Sequence, residues 1–203
     1  FFFRVKEINK AYQCFNIALN VDSNSEAAQI EKFHMMREMC NWSEFENAKN
    51  FFTNIDHKNT LIQPYSFLIQ YDDPLKQKLI SEHYSLKNFN NKRSDLNHLF
   101  KEDSKKIRIG YFSADFIDHP VSKLLSRMIT LHDRNRFEIF CYSFKSNDNC
   151  EIQKHFKYYS DYFINTENLS NQEIVHLVQK DKIHIAIDLM GYTRGSKPEV
   201  FSF

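Results

Sequence analysis

The residues in this chain best suited to chemistry are His119 and the trio Tyr192, Thr193 and Arg194. His119 stands in "SADFIDHPV", Ser113 to Val121, where a strand-like run gives way to a polar elbow and then to an apolar-periodic segment. Pro120 suits the first position of a helix, which makes His119 the expected cap residue. A neutral imidazole there can accept a proton or bond to a hydroxyl or phosphate. A ring that merely caps its helix is the plainer alternative. The trio stands in "MGYTRGSKPE", Met190 to Glu199, where two glycines permit positive φ and three side chains offer donors. A basic surface turn is the plainer alternative here too. No Walker loop, GxGxxG, HExxH or GxSxG occurs, so the common signatures of phosphate loops, zinc proteases and nucleophile elbows are missing. Asp181, His184 and Asp188 form no persuasive cluster: Asp181 ends a helix, while His184 and Asp188 share one face of a strand.

The elements that would position these residues follow from the hydrophobic period. From Ile107 the pattern alternates strand and helix: strands at 107–112, 137–144, 162–164 and 183–189, helices at 121–131, 152–159 and 170–179. Leu124, Leu125, Met128 and Leu131 are expected to face inward, and "SNQE", Ser170 to Glu173, reads as a capping box. Such alternation predicts a parallel sheet covered on both faces. In such sheets ligands bind outside the carboxyl ends of the strands, where both chemical loops fall.

The first half is helical. Val5, Ile8, Tyr12, Phe15 and Leu19 make one apolar face, and Ala27, Ile30, Phe33, Met36 and Cys40 a second. Capping boxes are read at Ser23–Glu26 and Ser43–Glu46, the latter opening a helix on Phe45, Ala48, Phe52 and Ile55. "CNW", Cys40 to Trp42, reads as core. From 57 to 73 turn chemistry dominates, with Pro64 and Pro74 expected to block regular helix and one more helix over 74–84. The spacing suggests the second half of a tetratricopeptide unit running into the first half of the next; an ordinary helical bundle also fits. The polar run 88–106 reads as an exposed connection. The expected organisation is therefore α/β: helices over 1–87, a connection over 88–106, and a Rossmann-like sheet over 107–203.

Composition sets the bounds. A net charge of +1 over 203 residues argues against a nucleic-acid surface, and no apolar run is long enough to span a membrane. Four cysteines without a CxxC pair read as buried thiols in a reducing cytosol rather than a disulfide or metal framework. The lack of an initiator Met and a count of only 3 glycines make a fragment the expected reading.

"KIRIGYFSADFIDHPVSKLLSRMITLHDRNRFEIFCYSF" together with "DKIHIAIDLMGYTRGSKPEVFSF" resembles the start of the catalytic region of the protein O-linked N-acetylglucosamine transferases and SPINDLY proteins. "REMCNWSEFE", Arg37 to Glu46, is similar to the segment joining that family's repeats to its catalytic region. The resemblance implies a tetratricopeptide array attached to a two-lobed GT-B fold of paired Rossmann-like domains. It implies inverting transfer of N-acetylglucosamine from UDP-N-acetylglucosamine, or of another nucleotide sugar, to a Ser or Thr hydroxyl of an acceptor protein, with no cofactor and no metal. The catalytic role falls on His119, as base or positioning group; substrate contacts fall on Tyr192, Thr193 and Arg194. Lys123 and Lys182 depart from the pattern, where a second His and a Gly are usual. The resemblance also implies a second lobe holding the nucleotide-binding groups, so these 203 residues alone are expected not to turn over. A non-catalytic helical-repeat adaptor is the alternative from a different functional class.

Overall fold

The structure, a computed structural model, describes residues 7–60, 62–89, 105–147 and 149–202. The chain divides into two compact units, Phe1–Asn90 and Asn91–Phe203. Val5 and most of the expected connection, residues 90–104, lie outside the described residues.

The first unit is built from α1 (Ile8–Val21), α2 (Glu26–Glu38), α3 (Phe45–Asn54), the short α4 (Pro64–Leu68) and α5 (Pro74–Asn88). Its core gathers Ile30, Phe33, Met36, Phe52, Ile55, Ile62, Phe67 and Ile80. Several expectations are corrected here. The cap of α2 is Ser25 rather than Ser23, its hydroxyl accepting from the Ala28 amide. Glu44 opens α3 without a side-chain cap bond, so no box forms at Ser43. In α2 the buried alanine is Ala28, not Ala27. Pro64 and Pro74 start helices instead of blocking them, each at the first turn, where the missing amide hydrogen costs nothing.

Cys40 is not core. It sits at φ 51° just past α2, with its amide bonded to Arg37 O and the Asn41 amide to Met36 O. That is the left-handed close of a helix, and it turns Cys40 and Trp42 outward. Cys14 is exposed as well, and Cys150 is half-buried. Cys141 alone among the four thiols is buried, and burial pushes its pKa up to about 12.

The second unit alternates β1 (Ile107–Ser113), α6 (Pro120–Leu131), β2 (Phe137–Ser143), α7 (Glu151–Tyr159), β3 (Tyr162–Asn165), α8 (Asn171–Lys180) and β4 (Ile185–Asp188), closing on a 3-10 turn at Pro198–Ser202. All strand pairs are parallel, in the order β3-β2-β1-β4. The period of two sorts the faces. Ile109, Tyr111, Ile139 and Cys141 share a core with Leu125, Ile129 and Phe156 from α6 and α7. On the other face Phe112 stacks on Tyr142 at 4.6 Å and Phe140 on Tyr162 at 4.5 Å, in a core with Ile174 and Val200. The capping box at Ser170–Glu173 is present with both of its bonds.

Helix α6 is rotated from the expected setting. Ser122 and Ile129 are buried, while Leu124 is 83% exposed, Leu131 69%, and Met128 exposed too. The reason is polar. The Ser122 hydroxyl donates to the Asp115 carbonyl, so a serine leads the inward stripe that continues through Leu125 and Ile129.

Candidate active site

The strand order places the site. Strands β1, β2 and β3 step outward in one direction, and β4 then returns to the other side of β1. At such a reversal the loops leaving the two central strands diverge and open a crevice at their carboxyl ends. Here those loops are the elbow after β1 and the turn after β4, the two segments that carry the candidate residues.

Ser113, fully buried at the end of β1, joins them. Its hydroxyl oxygen accepts from the Asp115 amide at 2.9 Å and donates to Met190 Sδ at 3.3 Å. The Leu189 amide bonds to Phe112 O, and a Cβ placed on Gly195 would lie 3.4 Å from Ala114 Cβ. Gly195 also sits at φ +87°, so its backbone favours glycine, while the contact with Ala114 is an ordinary one.

His119 caps α6 as expected, its Nδ1 accepting from the Val121 amide at 3.4 Å. The same atom lies 3.4 Å from Asp115 Oδ2, and the side chain is 42% exposed. Nδ1 can serve only one of these partners at a time, the amide when it carries no hydrogen and the carboxylate when it does. Nε2 makes no hydrogen bond among the described residues. The elbow beneath it is held from inside. Phe116 is buried, and the fully buried Gln153 of α7 donates to Phe116 O at 3.1 Å while accepting from the Asn147 amide at 3.0 Å.

The turn after β4 is organised by Asp188, whose two carboxylate oxygens accept from the amides of Met190 at 2.9 Å and Gly191 at 3.0 Å. Thr193 folds inward, its hydroxyl donating to Met190 O at 2.8 Å, so one part of its hydrogen-bonding capacity shapes the turn. Tyr192 is half-buried and Arg194 exposed. Lys197 anchors the far side by donating to Leu169 O at 2.9 Å and lying 5.4 Å over Phe144, and burial lowers its pKa. Lys123, the first departure noted above, pairs with Asp118 at 2.7 Å on the exposed edge of the elbow.

Sequence reasoning thus found both loops but missed four residues that shape them: Ser113, Asp115, Gln153 and Asp188. Gln153 left a legible trace, a polar side chain on the inward face of a helix beside Phe156. Asp188 had been grouped with His184 on one strand face. His184 lies just before β4, at the opposite end of the sheet from the turn that Asp188 shapes, and its Nδ1 accepts from the Arg108 amide at 2.9 Å. Among the described residues no group of three or more His, Cys, Asp or Glu side chains gathers as metal ligands. No helix among them is long and apolar enough to cross a membrane.

The probable UDP-N-acetylglucosamine–peptide N-acetylglucosaminyltransferase SEC of Arabidopsis thaliana is 38% identical over 98 residues, covering 48% of this chain. The UDP-N-acetylglucosamine–peptide N-acetylglucosaminyltransferase of Caenorhabditis elegans is 34% identical over 102 residues, covering 50% of it. The matched regions are 10% and 9% of those proteins, so the chain spans about a tenth of the length of these curated relatives. Among solved structures, an O-GlcNAc transferase mutant of Thermobaculum terrenum superposes with a TM-score of 0.57 at 18% identity, over 96% of this chain and 38% of that one, a likeness of fold. The glycosyl transferase family 41 model matches residues 77–203, well over half the sequence and including both loops. This chain belongs to glycosyl transferase family 41.

Proposed function

We propose that the chain forms the acceptor-side part of a protein O-glycosyltransferase, which transfers N-acetylglucosamine from UDP-N-acetylglucosamine to Ser or Thr of proteins. The observation that carries this reading is the meeting of the His119 elbow and the Gly191–Gly195 turn where β4 crosses back beside β1, within a family whose named relatives are peptide N-acetylglucosaminyltransferases. In an inverting transfer the acceptor oxygen attacks the anomeric carbon, the bond to the nucleotide diphosphate breaks, and the hydroxyl proton must leave. His119 Nε2 is the group on this chain placed to take or orient that proton, with Asp115 beside Nδ1. Tyr192 and Arg194 are assigned to substrate contact, and Thr193 to shaping the turn that presents them.

The reading assigns the nucleotide-binding groups to a second Rossmann-like lobe outside these 203 residues, completing a GT-B arrangement. It takes α1 and α2, which pack across the turn at 22–25, as tetratricopeptide-like elements that help recognise acceptor proteins. A cytosolic setting suits the free thiols.

The test is a transferase assay on the full-length protein with UDP-N-acetylglucosamine and an acceptor protein, beside His119→Ala. Loss of general base or orienting catalysis lowers kcat/KM by about 10²–10⁴-fold. Equal activity in the two proteins removes His119 from the mechanism. Calorimetry on the 203-residue chain with the same donor is expected to show no saturable heat, and tight binding would move the donor site into this chain.

A further inference from the structure

A neutral histidine with one free ring nitrogen either donates or accepts there, and its other nitrogen decides which. For His119 the deciding atom is Nδ1, which lies 3.4 Å from the Val121 amide and 3.4 Å from Asp115 Oδ2. With Nδ1 bare, the amide bonds to it and the ring hydrogen sits on Nε2, which can then only donate. With the hydrogen on Nδ1, Asp115 accepts it and Nε2 presents a lone pair.

The balance between these forms favours the second. At 3.4 Å the cap bond is long for its type and holds the bare form weakly. At the same distance a carboxylate is the better partner, because a bond to an ionised acceptor is about twice as strong as a neutral one. The Val121 amide belongs to the first turn of α6, where water can replace a cap. The Asp115 carboxylate has fewer substitutes. Its side chain is only 19% exposed, and Lys123, the cation on this elbow, is held by Asp118 at 2.7 Å.

The backbone fixes the base from which that carboxylate reaches the ring. The Asp115 amide donates to the buried Ser113 hydroxyl at 2.9 Å, and its carbonyl accepts from the Ser122 hydroxyl of α6. Phe116, the next residue, is buried with its own carbonyl held by Gln153. Asp115 is thus pinned to the end of β1 on one side and to α6 on the other.

We propose that Asp115 is a positioning residue that holds His119 in the Nδ1–H form and so makes Nε2 the base of the transfer. The acceptor hydroxyl's proton passes to Nε2 as its oxygen bonds to the anomeric carbon. The bond from that carbon to the diphosphate breaks, and its electron pair leaves with the phosphate. The imidazolium keeps its Nδ1 hydrogen on Asp115, whose charge stabilises it. This rests on the reading of the elbow as the acceptor side of the transfer site.

The test has a spectroscopic and a kinetic arm. In the 203-residue chain with labelled histidine nitrogens, at about pH 8 and so above the ordinary histidine pKa, long-range proton–nitrogen correlation shows which ring nitrogen carries hydrogen. Loss of the signal in His119→Gln assigns it. The hydrogen is expected on Nδ1 in the wild type and on Nε2 in Asp115→Asn, whose amide donates to Nδ1. In the full-length protein Asp115→Asn should lower kcat by about 10²-fold or more, with the donor KM changed by less than about twofold. In a His119→Ala background it should add nothing to the loss. A wild-type hydrogen on Nε2 overturns the inference without recourse to any variant, leaving His119 as a donor. Unchanged kcat in Asp115→Asn, or a further loss on top of His119→Ala, overturns it as well. Equal activity of His119→Ala and the wild type removes the reading of the site itself, and this inference with it.

Discussion

The two ends of the parallel sheet hold similar residue types and use them in opposite ways. At the amino end, Arg108 Nε pairs with Glu138 at 2.7 Å, its Nη1 donates to Asp181 O at 3.0 Å, and its backbone exchanges bonds with His184. Tyr142 donates its hydroxyl to Asp181 Oδ2 at 2.8 Å; burial, and then that carboxylate, raise its pKa. Arg134 pairs with Asp161, which also accepts from the Ile139 amide, and His132 meets the Tyr111 hydroxyl at 2.8 Å. Each of these charges is matched by a neighbour. At the carboxyl end, His119 keeps Nε2 unbonded among the described residues, and Arg194 is exposed on a turn whose own bonds come from Asp188 and Thr193. A set of ionisable groups with all partners internal stabilises; a set that leaves atoms facing a crevice is available to a substrate. Residue type alone did not separate the two.

That contrast can be attacked at the amino end first. Asp181→Ala removes the carboxylate that accepts from the buried Tyr142 hydroxyl while keeping the backbone carbonyl that Arg108 reaches, and should lower folding stability by about 1–3 kcal/mol in chemical denaturation. A loss within error would mean the network is decorative. Next comes pH. Burial, and then Arg134, lower the pKa of His132 below its ordinary 6.5. The unfolded chain therefore takes up this proton first, so the contribution of His132 is fully present above about pH 6.5 and is lost as pH falls toward its folded value. Thermal melts between about pH 7 and pH 5 should decline more steeply in the wild type than in His132→Gln. The smallest effect concerns Lys182, held at φ 51° where α8 closes, with the Ile183 amide bonded to Val178 O. Lys182→Gly should raise stability by roughly 1 kcal/mol by relieving the left-handed backbone. A decrease would show that the lysine side chain contributes more than its backbone costs.

Legibility in the sequence followed the strength of the periodic signal. The strands and helices of the sheet unit were readable because the apolar period switches between strand and helix along it and a complete capping box marks α8, and Pro120 marked His119 as a cap by stereochemistry alone. The facing of α6 was not readable, because a serine bonded to a carbonyl outweighs Leu124 and Leu131 in setting the rotation. Cys40 and Trp42 looked like core because apolar type suggests burial, whereas a left-handed helix close turned them out. Asp115 and Asp188 were invisible as site residues because their roles are short local bonds, to His119 Nδ1 and to the Met190 and Gly191 amides, which an acidic residue in a loop does not announce. Strand order is a tertiary property, and it is the feature that brings the two loops together.

The most direct measurement is a pair of numbers for each of two variants of the full-length protein: the melting temperature, and kcat/KM for transfer per folded molecule. His119→Ala should lose no more melting temperature than one helix cap supplies, about 1 kcal/mol of stability, and lose about two to four orders of magnitude in kcat/KM. Asp181→Ala should lose melting temperature and keep kcat/KM. The reverse pattern, activity lost at Asp181 and preserved at His119, would place the working end of the sheet opposite to where β1 and β4 open.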